Sequence, residues 1–401
     1  MSPVSEAVAA PVQLAARISR IEPSATMAAV AEAEKLRQQG IEVVDCTAGE
    51  PHFATPEHVK EAAIAAIRGN FSRYTAVGGT LELKDAIINR HAADFGSVYK
   101  RDEVCASVGG KHALFNTISA LVDHGDEVIL PVPYWVSFKD IVSYAGGNCV
   151  LLHADEEQGF RVTAQMVERL ITPRTRLIIL NSPSNPSGAV MSPADMTEVV
   201  RLAHERGIWV ISDECYVYLN YTGENFSVGS LNEFRDRFLV VGSLSKTYAM
   251  TGWRLGYALG PAKVIAAAQK LQSQSTSNPT SIVQKAAVAA LTGPQECVAE
   301  MRAEYIRLRD HIVTGLRAIP GFRCAMPEGA FYAYPNVSGL FGKAGLRAAA
   351  DVAHGLLHKA HVATVAGEGF GTTDHIRISY ASSMENLDKG LDQISKYVRS
   401  L

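Results

Sequence analysis

The chain has 401 residues, 47% hydrophobic and 20% charged, the composition of a globular protein with ample material for a large core. Lys plus Arg number 38 against 41 Asp plus Glu, and a net charge of -3 excludes the strongly basic balance of a nucleic-acid or membrane-surface binder. No apolar run approaches the roughly 18 residues a membrane span needs, and at roughly 100–200 residues per domain two domains are the natural division.

The first 17 residues are Ala-rich, carry Glu6, lack a basic leader and are broken by Pro3 and Pro11. They read as a tail rather than a signal peptide. The six cysteines lie far apart with no C-x-x-C pair, as expected of buried thiols in a reducing, cytoplasmic compartment. After the tail, β-branched runs alternate with helical patterns. KHALFNTISALVDHG is a helix, DEVILPVP a strand, SFKDIVSYAGG a helix and RLIILNSP a strand. ADMTEVVRLAHERG, IWVISDE and RFLVVGSLS continue the alternation as helix, strand and strand. Strand, helix, strand at this spacing implies parallel strands joined by crossovers, with both sheet faces covered. Ligands then collect at the carboxyl ends of the strands. From about residue 295 the texture changes to a long amphipathic helix (CVAEMRAEYIRLRDHIVTGLRAI), short strand patterns (GAFYAYPNV, HIRISYA) and a helix between them. This predicts a second, smaller α+β domain, with which the segment from Ile18 to about Thr47 packs.

Polar motifs follow the apolar runs. In ASVGGKHALF, Gly109 and Gly110 form a turn before a helix, where backbone N–H groups are free to approach a phosphate. In LIILNSPSNPSG, Asn185 lies in a Pro- and Gly-punctuated turn. In WVISDECYVYL, Asp213 ends an apolar strand, where a carboxylate needs a cationic partner such as a protonated pyridine nitrogen. Tyr216 follows three residues later and is placed to donate to a phenolic oxygen. In VVGSLSKTYAMTGWRLGYALG, Lys246 follows a strand among small and hydroxyl residues. A partly desolvated lysine amine forms a Schiff base with a carbonyl cofactor. Ser243, Ser245 and Arg254 are suited to hold a phosphate dianion by charge-assisted bonds. In HIRISYA, Arg377 in an apolar strand matches a planar carboxylate, or alternatively a structural ion pair.

S-x-S-K followed by T-G-W-R-x-G-Y resembles the cofactor-lysine signature of the class I/II aminotransferases, the aspartate aminotransferase superfamily, and the resemblance runs from about Ile18 to the C-terminus. It implies the type I pyridoxal-phosphate-dependent transferase fold, with a large, mostly parallel-sheet α/β domain (49–294), a smaller α+β domain (18–48 and 295–401) and an N-terminal tail (1–17). It implies pyridoxal 5'-phosphate on Lys246, with Asp213 at the pyridine nitrogen, Tyr216 and Asn185 at the phenolic oxygen, and Trp135 stacked on the ring. Gly109, Gly110, Ser243, Ser245 and Arg254 correspond to the phosphate site, and Lys111 faces the substrate. Tyr74 corresponds to a tyrosine that reaches the phosphate of a neighbouring subunit, which implies a homodimer. Gly49 and Arg377 correspond to the grip on the substrate α-carboxylate.

Ser24, Thr26 and Lys111 resemble the bacterial aspartate aminotransferases that hold the second carboxylate with a lysine and hydroxyls. Aspartate or glutamate paired with 2-oxoglutarate or oxaloacetate, in a ping-pong reaction, is the implied chemistry. Glu22 departs from members that carry a basic residue there and accept prephenate. Prephenate, aromatic and alanine-type substrates stay open, as do lyases of the same scaffold. Aminotransferase-like sensor domains are fused to a DNA-binding module, for which the roughly 17 residues before Ile18 are too few. Two patterns carry no functional weight. His354, His358 and His361 read as a solvated helix face without an accompanying carboxylate, and GEGFG (367–371) lacks the strand and helix of a dinucleotide site.

Overall fold

The computed structural model describes residues 12–223 and 225–401. Most of the segment read as a tail, residues 1–11, lies outside them. In chain order the strands are β1 (Val44–Asp45), β2 (Val104–Ser107), β3 (Glu127–Val132), β4 (Asn148–His153), β5 (Thr175–Asn181), β6 (Trp209–Asp213), β7 (Phe238–Ser243), β8 (Gly256–Leu259), β9 (Tyr332–Ala333), β10 (Val362–Ala363), β11 (Val365–Ala366) and β12 (Ile376–Ser379).

A seven-stranded sheet in the order β2-β8-β7-β6-β5-β3-β4 forms the centre. All neighbours within it pair in parallel except β8, which runs antiparallel to both β2 and β7. The central strands are apolar throughout because each face meets its own helical layer. Ile178, Leu180, Val210, Phe238 and Val240 enter one core, whereas Leu177, Ile179, Ile211, Leu239 and Val241 enter the other. The period of two in the side chains divides a single hydrophobic run between two cores. The parallel register sets Asn181 of β5 opposite Asp213 of β6, and Asp213 opposite Val241 of β7. Polar side chains at these strand ends therefore share one edge of the sheet.

The C-terminal part builds a third core. The helix Glu296–Arg317 buries Met301, Tyr305, Leu308, Ile312 and Leu316, a spacing of three and four that keeps one stripe inward. The antiparallel sheet β11-β12-β9 packs into the same core, together with Tyr216 and Leu219 from the loop after β6. β1 pairs in parallel with β10, and the helix Ala25–Gln38 packs Ala33 and Leu36 against Val43, Leu357 and Ala363. The architecture is the α/β fold expected from the alternating pattern.

Among the described residues no helix is long and apolar enough to cross a membrane, and no group of three or more His, Cys, Asp or Glu side chains is arranged to hold a metal ion. The histidine face differs in detail from its sequence reading. The His354 and His358 rings lie 4.3 Å apart, tilted by 42°, and a carboxylate does accompany them, since His358 Nε2 lies 3.9 Å from Glu32 Oε1. Glu32 belongs to the N-terminal helix Ala25–Gln38, which periodicity along one helix cannot bring into view. His361 ends its helix in a left-handed conformation.

Candidate active site

A cleft of about 510 Å³ opens at the carboxyl ends of β5, β6 and β7, between the large sheet and the C-terminal core. Lys246 sits in the four-residue helix Leu244–Thr247 that begins directly after β7, capped by Ser243, whose hydroxyl accepts from Ser245 N at 3.1 Å. The strand end and the cap fix the direction of the lysine. Its ammonium donates to the Gly49 carbonyl oxygen and lies 5.9 Å from the Phe331 ring centroid. Loss of water lowers its pKa, and the nearby Cys215 and Glu50 oppose that shift.

Asp213 closes β6 on the same edge. Its carboxylate is buried and accepts one hydrogen bond, from Cys215 N at 3.0 Å. Burial pushes its pKa up to about 7, moderated by that bond and by the Lys246 charge. A carboxyl so placed is short of a cation, and a protonated ring nitrogen supplies one. Asn181 donates to the Asp213 carbonyl oxygen at 3.1 Å and accepts from Asn185 N at 2.9 Å, which pins the turn carrying Asn185 to the strand ends.

The phosphate corner is built by close packing. A Cβ on Gly109, whose φ is +84°, would stand 2.5 Å from the Arg254 guanidinium, and one on Gly110 would stand 3.2 Å from Ser243 Cβ. The left-handed φ at 109 calls for glycine, and the missing side chain leaves room for Arg254 to lie across the N-terminus of the helix Gly110–Leu121. Arg254 itself has φ +56°, uncommon for a side chain of its size, and donates to the Thr251 carbonyl at 2.7 Å. Ser243, Ser245, Arg254 and the first backbone N–H groups of this helix converge here. This donor set and the buried acid at the opposite end fit a phosphorylated pyridine aldehyde.

At the third corner Arg377 of β12 is 1% exposed. It donates to Asn185 Oδ1 at 3.0 Å and to the Thr47 carbonyl at 2.8 Å, and Tyr332 and Phe370 face its guanidinium at 4.5 and 5.1 Å. Its Nε is buried without a partner. No carboxylate pairs with this cation in the described structure, so the alternative of a structural ion pair does not describe it, and a free anion is the complementary ligand.

The distal side is looser. Lys111 reaches over the Trp135 ring at 4.9 Å, and its pKa is lowered by desolvation and then by Arg254. Ser24 caps the helix Ala25–Gln38, and Thr26 Oγ1 is buried without a partner. All of the sequence-selected residues line this cleft except two. Gly109 stands behind Arg254, and Tyr74 is 90% exposed outside the cleft. Glu22 is also exposed and outside the lining, and its backbone N–H donates to Asp140 at 3.2 Å.

Sequence reasoning passed over Tyr332, Thr47, Asn181 and Cys215, which also line the cleft. Asn181 had a signal, a polar residue ending a buried strand. Tyr332 had none beyond an aromatic cluster, which reads equally as core.

The family model described as aminotransferase class I and II matches residues 41–394. The aspartate aminotransferase structure from Rhizobium meliloti superposes with a TM-score of 0.93 at 43% identity, covering 97% of this chain and 99% of that one. The Thermus thermophilus aspartate aminotransferase with maleate superposes at 0.92 and 41% identity, covering 96% and 100%. A relative from Nitrosomonas europaea, named aspartate/prephenate aminotransferase, is 41% identical over 393 residues, 96% of this chain and 99% of its own length. Fold, motif order and coverage of nearly the whole chain agree: the protein belongs to the class I and II aminotransferases.

Proposed function

We propose that the protein is a pyridoxal-phosphate-dependent aspartate aminotransferase, exchanging amino groups between aspartate or glutamate and 2-oxoglutarate or oxaloacetate. The observation that carries this reading is the convergence in one cleft of a desolvated lysine, a buried acid and an arginine free of any carboxylate partner. Lys111 and the unpartnered Thr26 hydroxyl lie in the same cleft and supply donors for a second carboxylate. Relatives at 41–43% identity carry the name aspartate aminotransferase, one of them solved with the dicarboxylate maleate.

Pyridoxal phosphate supplies an aldehyde carbon that condenses with amines and a cationic ring that draws electrons from the substrate α-carbon. The residues of the chain do the rest. Ser243, Ser245, Arg254 and the helix N-terminus behind Gly109 and Gly110 would hold the phosphate, while Asp213 would accept from the ring nitrogen and Trp135 would cover the ring face. Tyr216 and Asn185 would donate to the phenolic oxygen. Arg377 and the Gly49 backbone hold the α-carboxylate. Lys246 Nζ, whose pKa burial lowers, would act as the general base that takes the substrate's α-proton and as the acid that returns it. One substrate leaves before the next enters, which gives ping-pong kinetics.

We further read residues 49–294 as a large domain and 18–48 with 295–401 as a small one. The separate apolar cores support this division, with Tyr216 and Leu219 reaching from one into the other. We also read the protein as a cytoplasmic homodimer in which Tyr74 completes the partner's phosphate site, and the exposure of that side chain supports the dimer.

The test is a half-reaction screen. Aspartate and glutamate should convert the bound cofactor to its amine form far faster than alanine or phenylalanine. Preference for neutral or aromatic amino acids would reject the dicarboxylate reading, and conversion by prephenate's amino product would extend it to the activity in the name of the Nitrosomonas relative.

A further inference from the structure

Tyr332 is completely buried on β9 and lines the cleft, yet none of the cofactor or substrate contacts derived above uses it. Three contacts define its place. Its hydroxyl is 2.8 Å from the Tyr216 hydroxyl. Its ring faces the Arg377 guanidinium at 4.5 Å. Gly49 packs against it so closely that an added Cβ would stand 3.4 Å from the Tyr332 hydroxyl. Tyr332 thus touches a residue assigned to the cofactor's phenolic oxygen and two assigned to the substrate α-carboxylate.

The direction of the phenol–phenol bond follows from counting protons. Each hydroxyl carries one proton and can accept others. Among the described residues neither has another hydrogen-bond partner. If Tyr216 spends its proton on the cofactor's phenolic oxygen, the proton in the 2.8 Å contact must come from Tyr332. Donation into the Tyr216 oxygen polarises the Tyr216 O–H bond and makes it a stronger donor, the cooperative effect of chained hydrogen bonds in a dry site.

We propose that Tyr332 is a positioning residue for transamination: its hydroxyl donates to Tyr216, and its ring carries Arg377, so one side chain aligns the cofactor's phenolic oxygen and the carboxylate grip. The inference rests on the aminotransferase reading of the cleft. It assigns the two halves of Tyr332 to separable effects, the hydroxyl to the cofactor end and the ring to the substrate end. The charged and titratable groups nearest the tyrosine pair are Arg377 and Cys215, with Lys246, Asp213, Lys111, Glu50, Asp45 and Arg254 lining the same cleft. Tyr332→Phe leaves each of them in place.

The experiment uses the holoenzyme and four variants: Tyr332→Phe, Tyr332→Leu, Tyr216→Phe and the double Phe variant. The first readout is the pH midpoint of the bound cofactor's absorbance, and the second is the split between kcat and the KM for aspartate. Tyr332→Phe should raise the midpoint by about half a unit and lower kcat by roughly three- to tenfold, with KM within about twofold of wild type. Tyr332→Leu should show the same rise and also increase KM by roughly tenfold, because the aromatic face under Arg377 is gone. In the Tyr216→Phe background, Tyr332→Phe should shift the midpoint no further. A Tyr332→Phe midpoint equal to wild type, or an equal shift with and without Tyr216, would overturn the proposal. Wild-type enzyme that fails to react with any amino acid would strike the aminotransferase reading instead, since the midpoint reports on Tyr332 without turnover.

Discussion

The two ends of the cleft are made differently. The cofactor end stands on the termini of β5, β6 and β7, where parallel register aligns Asn181, Asp213 and Val241 and a capped turn follows with Lys246. Asp213, Ser243 and Ser245 are buried there, and Asn181 and Lys246 are half-buried. The distal end is assembled from side chains at helix starts, namely Ser24 before and Thr26 in one helix and Lys111 in another, rather than from residues that end strands. A chemistry that must not vary is thus tied to the most rigid element, and selectivity is left to positions where one side chain can change without moving a strand. Substitutions should therefore cost rate at the first end and discrimination at the second.

The largest effect belongs to the sheet end. Lys246→Ala should lower turnover by at least about 10³-fold and abolish borohydride-fixed retention of the cofactor, because it removes both the attachment and the proton carrier. Retained transamination would break the comparison at its base. Asp213 gives a stability test of the same end. Burial pushes its pKa up to about 7, so without cofactor the folded protein favours the neutral acid. That contribution is complete below the ordinary carboxylate range near 4 and is lost as pH rises towards about 7. Cofactor-free wild type should lose melting temperature between pH 5 and pH 8 relative to Asp213→Asn, a differential on the order of a few kcal/mol. Pyridoxal phosphate should shrink the difference, since a ring cation gives the carboxylate its partner. Buried Glu214 is shifted in the same direction, first by burial, and the Asp213 charge adds to that shift, so the Asp213→Asn difference carries a smaller contribution from Glu214.

The contrast also explains what could be read from the sequence. The central strands were legible because both faces are covered, and their apolar runs end abruptly in Asn, Asp or Ser. Lys246 and Asp213 were legible because each sits directly after such a run. Tyr332 was not, because β9 has two residues and its tyrosine meets Tyr216 from the loop after β6 and Arg377 from β12, both far away in sequence. The companion of His358 escaped for the same cause, since Glu32 is a neighbour only after β1 has paired with β10. The requirement for glycine at 109 is turn chemistry, since its φ is +84°, and the sequence could not show that the same position also leaves room for Arg254.

Arg377 tests the border between the two ends. Arg377→Ala strands the Asn185 and Thr47 acceptors and removes the carboxylate fork, so kcat/KM for aspartate should fall by about 10²- to 10³-fold. The loss should be shared by every amino acid, because all carry the α-carboxylate. Lys111→Met should behave otherwise. It removes a charge-assisted donor near the distal end, so kcat/KM for aspartate and glutamate should fall by about 10- to 100-fold while that for alanine changes by less than about threefold. Equal losses for aspartate and alanine would place Lys111 with the cofactor and move the border between the two ends.

The smallest effect is the sharpest on mechanism. Thr26 Oγ1 is buried with no partner, a state that costs free energy in the protein without ligand. Valine has nearly the same shape and no hydroxyl, so Thr26→Val should leave the melting temperature of the ligand-free enzyme unchanged or slightly higher. If the hydroxyl is held in reserve for the second carboxylate, the same variant should raise KM for aspartate by about 2- to 10-fold, the worth of one neutral hydrogen bond, and leave alanine untouched. A variant that gains stability while losing only dicarboxylate affinity would identify the unsatisfied hydroxyl as a cost carried for recognition. Loss of stability with no change in KM would show that the hydroxyl serves the helix Ala25–Gln38 and not the substrate.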